Sequence, residues 1–286
     1  DYNTALVGKS HFNNWVWYSL YENGLPSHGF DTLIQSGQYR DFLEKQDIPS
    51  LPDNTGYYNP GKEASVAEWM NCRVLPQPVY DTFSEGTYYA REAIAFMRRS
   101  EDKPFLMWLA FKEPHHPYYF PLEYAGTYDP MDMPLPAGSP EDDRWIPEKF
   151  RDLTDEEKRG IIASYYTSTE YMDKNIGLVL SALQEMDLER NTLVIYISDN
   201  GYLLHEHKRF EKHTLWEESV RQPMIFSWQN MPGAGKRTGA IVEYTDVVPT
   251  ILDLLGMEPI AEAQGRSFAH LLNDRDAGFR DYAFAE

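Results

Sequence analysis

The sequence predicts an α/β fold with a largely parallel central sheet flanked by helices, and three observations carry that prediction. Helix-type and strand-type segments alternate from residue 86 to residue 255. The apolar, β-branched run Leu193 to Ile197 stops abruptly at Ser198-Asp199-Asn200-Gly201, as a buried strand does at its C-terminal end. Thr154 and Glu157 form a capping box ahead of Ile162, Tyr165, Thr169, Met172, Ile176, Val179 and Leu183, whose steps of three and four predict a helix lying along the sheet.

The remaining elements follow in chain order. Residues 4–7 read as a short strand that delivers Lys9 and His11 into a loop. From Phe12 to about Asp81 the chain is rich in Asn, Gly, Pro and aromatics with little periodicity, so a long insertion over the site face is expected. Trp15, Trp17, Tyr18 and Tyr21 in it would suit a wall for a sugar ring, or ordinary packing. Gly86 to Arg99 has helical periodicity, and Phe105 to Phe111 reads as a strand followed by a proline-punctuated segment. A short helix over Leu215–Val220 and a strand over Pro223–Phe226 complete the pattern. No repeat, low-complexity stretch or linker separates independent domains.

Composition bounds the function. The 286 residues, 42% hydrophobic and 14% aromatic, suffice for a substantial folded core. A net charge of −19 argues against a nucleic-acid partner, which would need clustered Lys and Arg. An anionic small molecule is still permitted, because a local cationic pocket dominates within a screening length of about 8–10 Å. No apolar run approaches the ~18 residues of a membrane span. The single cysteine, Cys72, excludes an intrachain disulfide. No N-x-[ST] sequon occurs, which mildly favours a bacterial source.

The chemistry concentrates at the end of the Leu193–Ile197 strand. A carboxylate and an amide oxygen, Asp199 and Asn200, suit a hard cation such as Ca²⁺ or Mg²⁺; the same tripeptide is also a good turn. The context extends well beyond it. Glu206-His207 and Lys212-His213-Thr214-Leu215-Trp216-Glu217-Glu218 follow, then Arg221 and Pro223. Upstream lie Tyr2-Asn3-Thr4-Ala5-Leu6-Val7-Gly8-Lys9-Ser10-His11 and Pro114-His115-His116-Pro117. Downstream come Tyr244-Thr245-Asp246-Val247-Val248-Pro249-Thr250-Ile251-Leu252-Asp253-Leu254-Leu255-Gly256 and Gly265-Arg266-Ser267. In this order the motifs resemble the sulfatase branch of the alkaline-phosphatase-like hydrolases, from about residue 2 to residue 286. Residues 18–81 match least.

That resemblance implies an alkaline-phosphatase-like sandwich acting on a sulfated small molecule or glycan. Asp199 and Asn200 would be metal ligands, for Ca²⁺ with Mg²⁺ as the second choice. Lys9 would contact the metal-bound nucleophile or a sulfate oxygen, and His11 would hold or deprotonate that nucleophile. His115 and Lys212 would donate to the sulfate ester, with His115 the acid near the leaving oxygen. Alone, each of these would read as a solvated lysine or a structural histidine; the motif context reverses that. His207 and His213 stay open between structural and functional roles.

The family's nucleophile is a formylglycine hydrate made within C/S-x-P/A-x-R, upstream of the G-K-x-H segment and accompanied by two aspartates. Neither feature is present, and Cys72-Arg73-Val74-Leu75-Pro76 has the wrong neighbours and the wrong order. Residues 1–286 are therefore expected to be one catalytic domain, incomplete at the N-terminus and at the C-terminus, and inactive alone. A phosphonate or phosphate ester hydrolase is the enzymatic alternative, and a non-catalytic anion-binding relic the other. By resemblance the location is periplasmic or secreted; oligomeric state stays open. Two departures stand near the site: Ser10 replaces the family's Trp in G-K-W-H, and Leu204-His205-Glu206-His207-Lys208 replaces L-G-E-H-G, losing two glycines.

Overall fold

The computed structural model describes residues 2–11, 27–53, 56–100, 102–229, 231, 233–274 and 276–285. The chain divides into two compact units, Asp1–Asp187 with Leu204–Phe210, and Leu188–Leu203 with Glu211–Glu286.

In the first unit, β1 (Asn3–Gly8) lies between β2 (Thr32–Ile34) and, on its other side, a strand at Phe105–Ala110. All three run parallel. Ala5, Leu6 and Val7 are fully buried, as expected of a central parallel strand covered on both faces. Helix α1 (Ser36–Leu43) follows β2, α2 (Val66–Trp69) comes next, and α3 (Glu85–Arg99) leads into the Phe105–Ala110 strand, β3. Tyr88, Tyr89 and Phe96 of α3 join Tyr39 and Phe42 of α1 over Ala5, Val7 and Ile34 in one apolar cluster. The described part of the 12–81 segment is thus more regular than its sequence suggests. A three-residue strand is too short to show alternation, and the eight residues of α1 offer only Tyr39, Phe42 and Leu43 as an apolar face. Trp15, Trp17, Tyr18 and Tyr21 lie outside the described residues.

After α4 (Glu148–Arg151) comes α5 (Asp155–Glu185), a helix of 31 residues. Its capping box forms as expected, with the Glu157 N–H donating to Thr154 Oγ1 at 3.2 Å and Glu157 Oε2 accepting from the Thr154 N–H at 2.8 Å. The expected apolar stripe is only partly the buried one. Ile162, Val179 and Leu183 are buried, but between them Ser164, Ser168, Tyr171 and Asn175 turn inward instead of Tyr165, Thr169, Met172 and Ile176. The reason is the partner: α5 packs chiefly along α3 and the loops around it. Tyr171 Oη accepts the Thr87 N–H at 3.0 Å and lies 2.6 Å from Ser84 Oγ, so α5 satisfies an amide that α3 leaves unpaired in its first turn. Lys174 Nζ donates to Asp81 Oδ1 at 2.6 Å and to Asn175 Oδ1 at 3.0 Å.

The second unit holds β4 (Val194–Ile197), paired antiparallel with a strand at Met224–Ser227 in the register Ile197↔Met224. Between them in sequence are a two-stranded ribbon of β5 (Leu203–Leu204) and β6 (Phe210–Glu211), then α6 (Glu217–Val220); the Met224–Ser227 strand is β7. Helices α7 (Val247–Leu254) and α8 (Ala269–Asn273) close the order. No helix among the described residues is long and apolar enough to cross a membrane.

Two consequences can be measured. At Gly160 of α5 an added Cβ would stand 1.7 Å from the Cys72 carbonyl oxygen, a contact only glycine allows. Gly160→Ala is expected to cost about 2–3 kcal/mol despite alanine's better helix propensity, seen as a lower urea midpoint; an unchanged midpoint would show that the turn yields freely. Glu113, after β3, is buried, and burial together with the charge of Glu85 pushes its carboxyl from 4.5 up to about 7. Below about pH 4.5 it is protonated whether folded or unfolded; from there to about pH 7 only the unfolded chain releases the proton, so stability falls as pH rises. Glu113→Gln should therefore gain up to about 3 kcal/mol over the parent in alkaline buffer and nothing in acid, as denaturant titrations in the two buffers would report.

Candidate active site

Three of the expected residues sit at one edge of the first unit's sheet. Because β1 and β3 run parallel with Gly8 opposite Ala110, Lys9 and His11 leave the sheet at the same C-terminal edge as the loop carrying His115. Ligands of open α/β sheets bind at such edges. Gly8 takes φ +97° and a Cβ there would stand 2.0 Å from the Ala110 carbonyl oxygen, so the close approach of the strands requires glycine. The Lys9 N–H then extends the ladder to Ala110 O at 2.9 Å.

Gln35 fixes this segment from the far side. Its buried amide Nε2 donates to Gly8 O at 3.2 Å and to Ser10 Oγ at 3.0 Å. Ser10, where the family commonly has Trp, is buried in that contact while His11 is exposed. Nothing in the sequence marked Gln35, since its role depends on the unrecognised strand β2 ahead of it.

His115 is half-buried in a turn closed by its own N–H to Lys112 O at 2.9 Å and by the Tyr118 N–H to His115 O at 3.0 Å. Its Nδ1 lies 2.7 Å from the main-chain oxygen of His116. Cys72, the only cysteine, is half-buried, and burial followed by the charges of Glu157 and Glu68 pushes its thiol up to about 11. It is a neutral thiol at physiological pH and a poor nucleophile.

The loop at 205–209, also in the first unit, explains the two lost glycines. His205 and Lys208 occupy those positions with φ of 81° and 55°, and His207 between them has φ 53°. Side chains hold this left-handed run in place: His205 Nδ1 lies 2.8 Å from Pro136 O, His207 Nδ1 3.1 Å from Asp142 Oδ1, and Lys208 pairs with Asp143. The Asp142 carboxyl is held below its ordinary range by the Ser139 N–H and then by His207. His207 is thereby tied to a carboxylate that its motif did not predict.

The second unit holds the expected metal ligands and Lys212. Beyond β4, Ser198 Oγ donates to Asn200 O at 2.9 Å, and the Tyr244 hydroxyl donates to Ser198 O. Asp199 is exposed beside that phenol, which burial and the Asp199 charge push up to about 12. Lys212 Nζ donates to Asn200 Oδ1 at 3.0 Å, so the structure brings Lys212 and Asn200 together directly. His213 is exposed at φ 66°. As donor types, a carboxylate and an amide oxygen fit Ca²⁺ or Mg²⁺, but they supply two of the about six to eight oxygens that Ca²⁺ takes. Among the described residues no cluster of three or more His, Cys, Asp or Glu stands ready to hold a metal.

The chain matches the sulfatase family model over residues 1–257. It is 30% identical over 220 residues to an arylsulfatase of Clostridium perfringens, covering 70% of this chain and 44% of that protein. With an ulvan-active sulfatase of Formosa agariphila it shares 28% identity over 284 residues, covering 96% of this chain and 48% of the relative. The chain thus spans about half the length of the curated relatives it matches. In structure it is similar to a phosphonate monoester hydrolase from Silicibacter pomeroyi, with a TM-score of 0.77 at 23% identity over 99% of this chain and 61% of the other. A protein solved with its substrate D-glucosamine-2-N,6-O-disulfate gives a TM-score of 0.68 at 21% identity, over 99% of this chain and 64% of that one. At these identities the structural likeness is one of fold, the alkaline-phosphatase-like α/β fold expected from the motifs. The match over residues 1–257 decides the family: this chain belongs to the sulfatases.

Proposed function

We propose that the protein hydrolyses sulfate monoesters, releasing an alcohol and sulfate, with a sulfated glycan or an aryl sulfate as substrate. The family match over residues 1–257 is the observation that carries this reading. The ulvan-active relative and the fold shared with a protein that holds a disulfated glucosamine favour a glycan. Location in the periplasm or outside the cell belongs to the same proposal.

In this reaction the bond from sulfur to the alcohol oxygen breaks as a bond to the attacking oxygen forms, and the departing oxygen takes a proton. By family resemblance, a formylglycine hydrate would supply the attacking oxygen and Ca²⁺, or Mg²⁺, would neutralise charge. Asp199 and Asn200 would hold the cation. Lys9 would contact a sulfate oxygen or the nucleophile, and His11 would hold or take the nucleophile's proton. Lys212 and His115 would each donate to the ester, His115 passing its Nε2 proton to the leaving oxygen. Negative charge spreads over the sulfuryl and leaving oxygens in the transition state, where ammonium and imidazolium donors strengthen most. Such donors also offset the repulsion an anionic ester meets from a chain of net charge −19.

The fold shared with phosphonate monoester hydrolases motivates the second reading, a phosphonate or phosphate ester hydrolase. The complete gene product is expected to turn over 4-nitrophenyl sulfate with a kcat/KM at least about a hundredfold above that for 4-nitrophenyl phenylphosphonate, a discrimination of about 3 kcal/mol; the reverse order would favour the second reading. Asp199→Ala is expected to lower kcat/KM by at least about a thousandfold, near 4 kcal/mol, and to abolish any rise in melting temperature on adding Ca²⁺. Retention of both activity and the calcium response would overturn the ligand assignment.

A further inference from the structure

His115 does not stand by itself in the first unit. Its ring lies 4.1 Å, centroid to centroid, from the ring of His116, tilted by 45°. The His116 ring lies in turn 4.1 Å from that of Trp69, tilted by 52°, and Lys149 Nζ sits 5.6 Å over the same indole. We propose that Trp69 and His116 are positioning residues: they clamp the His115 imidazole, and the His116 carbonyl selects its Nδ1–H form so that Nε2 faces the ester. The proposal rests on the acid role given to His115 above.

Two physical arguments support it. A main-chain carbonyl can only accept, so the 2.7 Å contact from His115 Nδ1 to His116 O requires the proton on Nδ1. Nε2 is then a donor only in the imidazolium, the form that can hand a proton to a leaving oxygen and keep its anchoring bond afterwards. That bond strengthens when the ring is charged. A half-turn of the ring about its outer bond would break the hydrogen bond and any smaller rotation would open the stack, so the two contacts together limit the ring to one orientation.

The stack is held from both ends by α5. Trp69 ends α2, whose N-cap Ser65 Oγ accepts the Glu68 N–H at 3.2 Å. The turn after it is pinned by Asn71, whose side chain bonds both the N–H and the carbonyl of Leu75 at 2.9 Å. Ser164 Oγ donates to Asn71 O at 2.6 Å, and Gly160 meets the Cys72 carbonyl without intervening atoms. On the other side Ser168 Oγ donates to Tyr119 O at 2.8 Å, beside the fully buried Tyr118. Gly160, Ser164 and Ser168 recur at intervals of four on one helix face, so a single rigid element sets the spacing between Trp69 and His116.

The test uses the complete gene product with two aryl sulfates, 4-nitrophenyl sulfate, whose phenolate leaves readily unprotonated, and phenyl sulfate, whose leaving oxygen needs the proton. Trp69→Ala is expected to lower kcat/KM for phenyl sulfate at least about tenfold more than for 4-nitrophenyl sulfate, part of the about 10²–10⁴ a general acid supplies. Trp69→Phe should restore most of the loss. If Trp69→Ala does not fold, His116→Leu, which keeps the carbonyl and removes the ring, should give the same substrate dependence. Equal losses on both substrates would overturn the positioning role. Independently of turnover, long-range proton–nitrogen spectra assigned with His115→Ala should show His115 protonated at Nδ1 in the parent and mixed tautomers in Trp69→Ala. A parent ring protonated only at Nε2 would sink the proposal whatever the substrate proves to be. Should phosphonates turn over faster than sulfates, the sulfatase reading fails, while the spectra still decide the stack.

Discussion

The first unit depends on a seam of small and polar side chains along α5. Ser164, Thr167, Ser168 and Asn175 are wholly removed from solvent, and Tyr171 nearly so. Burying such groups unpaired would cost about 1–3 kcal/mol each. Here Ser164, Ser168 and Tyr171 each bond a main-chain group of a loop or helix start, and Asn175 accepts from the Thr87 hydroxyl. The arrangement is reciprocal: the helix needs those carbonyls and amides, and the loops carrying Trp69 and His115 to Tyr119 need the helix. An apolar stripe would have buried more hydrocarbon but could not have specified where irregular backbone docks. The seam therefore gives up some hydrophobic driving force for a fixed loop geometry, which a site built on loops requires.

A buried carboxylate plays the corresponding part in the second unit. Asp246 is fully buried and accepts from the Glu243 N–H at 2.8 Å, the Arg266 N–H at 2.9 Å and Arg280 Nη2 at 2.7 Å. Through these bonds the motifs containing Asp246 and Arg266 become a single knot, extended by Thr250 Oγ1 accepting the Phe268 N–H at 3.0 Å. Tyr244 leaves that knot to bond the carbonyl of Ser198, the residue before Asp199. The downstream motifs thus have a structural meaning: they hold the end of β4 in place. Such a carboxylate is tolerable inside only because its donors replace water almost completely.

How much of this was legible in the sequence follows from how local each cause is. Strands β1, β3 and β4, helix α3 and the start of α5 announce themselves through apolar runs, periodicity and a capping box, all of which are written within a few residues. Strand β2 did not, because three residues cannot show a period and its stability comes from pairing with β1. The middle of α5 misled for a related reason. Met172 and Ile176 look like core by residue type, yet the helix turns Tyr171 and Asn175 inward because the start of α3 supplies matching donors and acceptors. Residue-type reasoning ranks hydrocarbon above hydroxyl; it has no access to the partner that inverts the ranking. The site candidates came from motif order, whereas Gln35 and Asp142, which hold two of those motifs, lie far from them in the chain.

The loop at 205–209 shows how a departure from a family pattern becomes a local property. A left-handed conformation costs a non-glycine residue about 1–2 kcal/mol, and His205, His207 and Lys208 all adopt it. Glycines at the first and last of these positions would remove that cost and also remove the side chains. The His205 and Lys208 side chains reach Pro136 and Asp143 and, beside the His207–Asp142 contact, join the loop to the 136–143 segment in the same unit. With glycine the loop would meet its conformation easily and hold it weakly; with histidine and lysine it meets the conformation at a cost and gains two polar contacts. The exchange makes sense where position matters more than ease of folding. It also sets imidazole and ammonium groups where the family pattern has bare backbone, and both are spent on holding the loop.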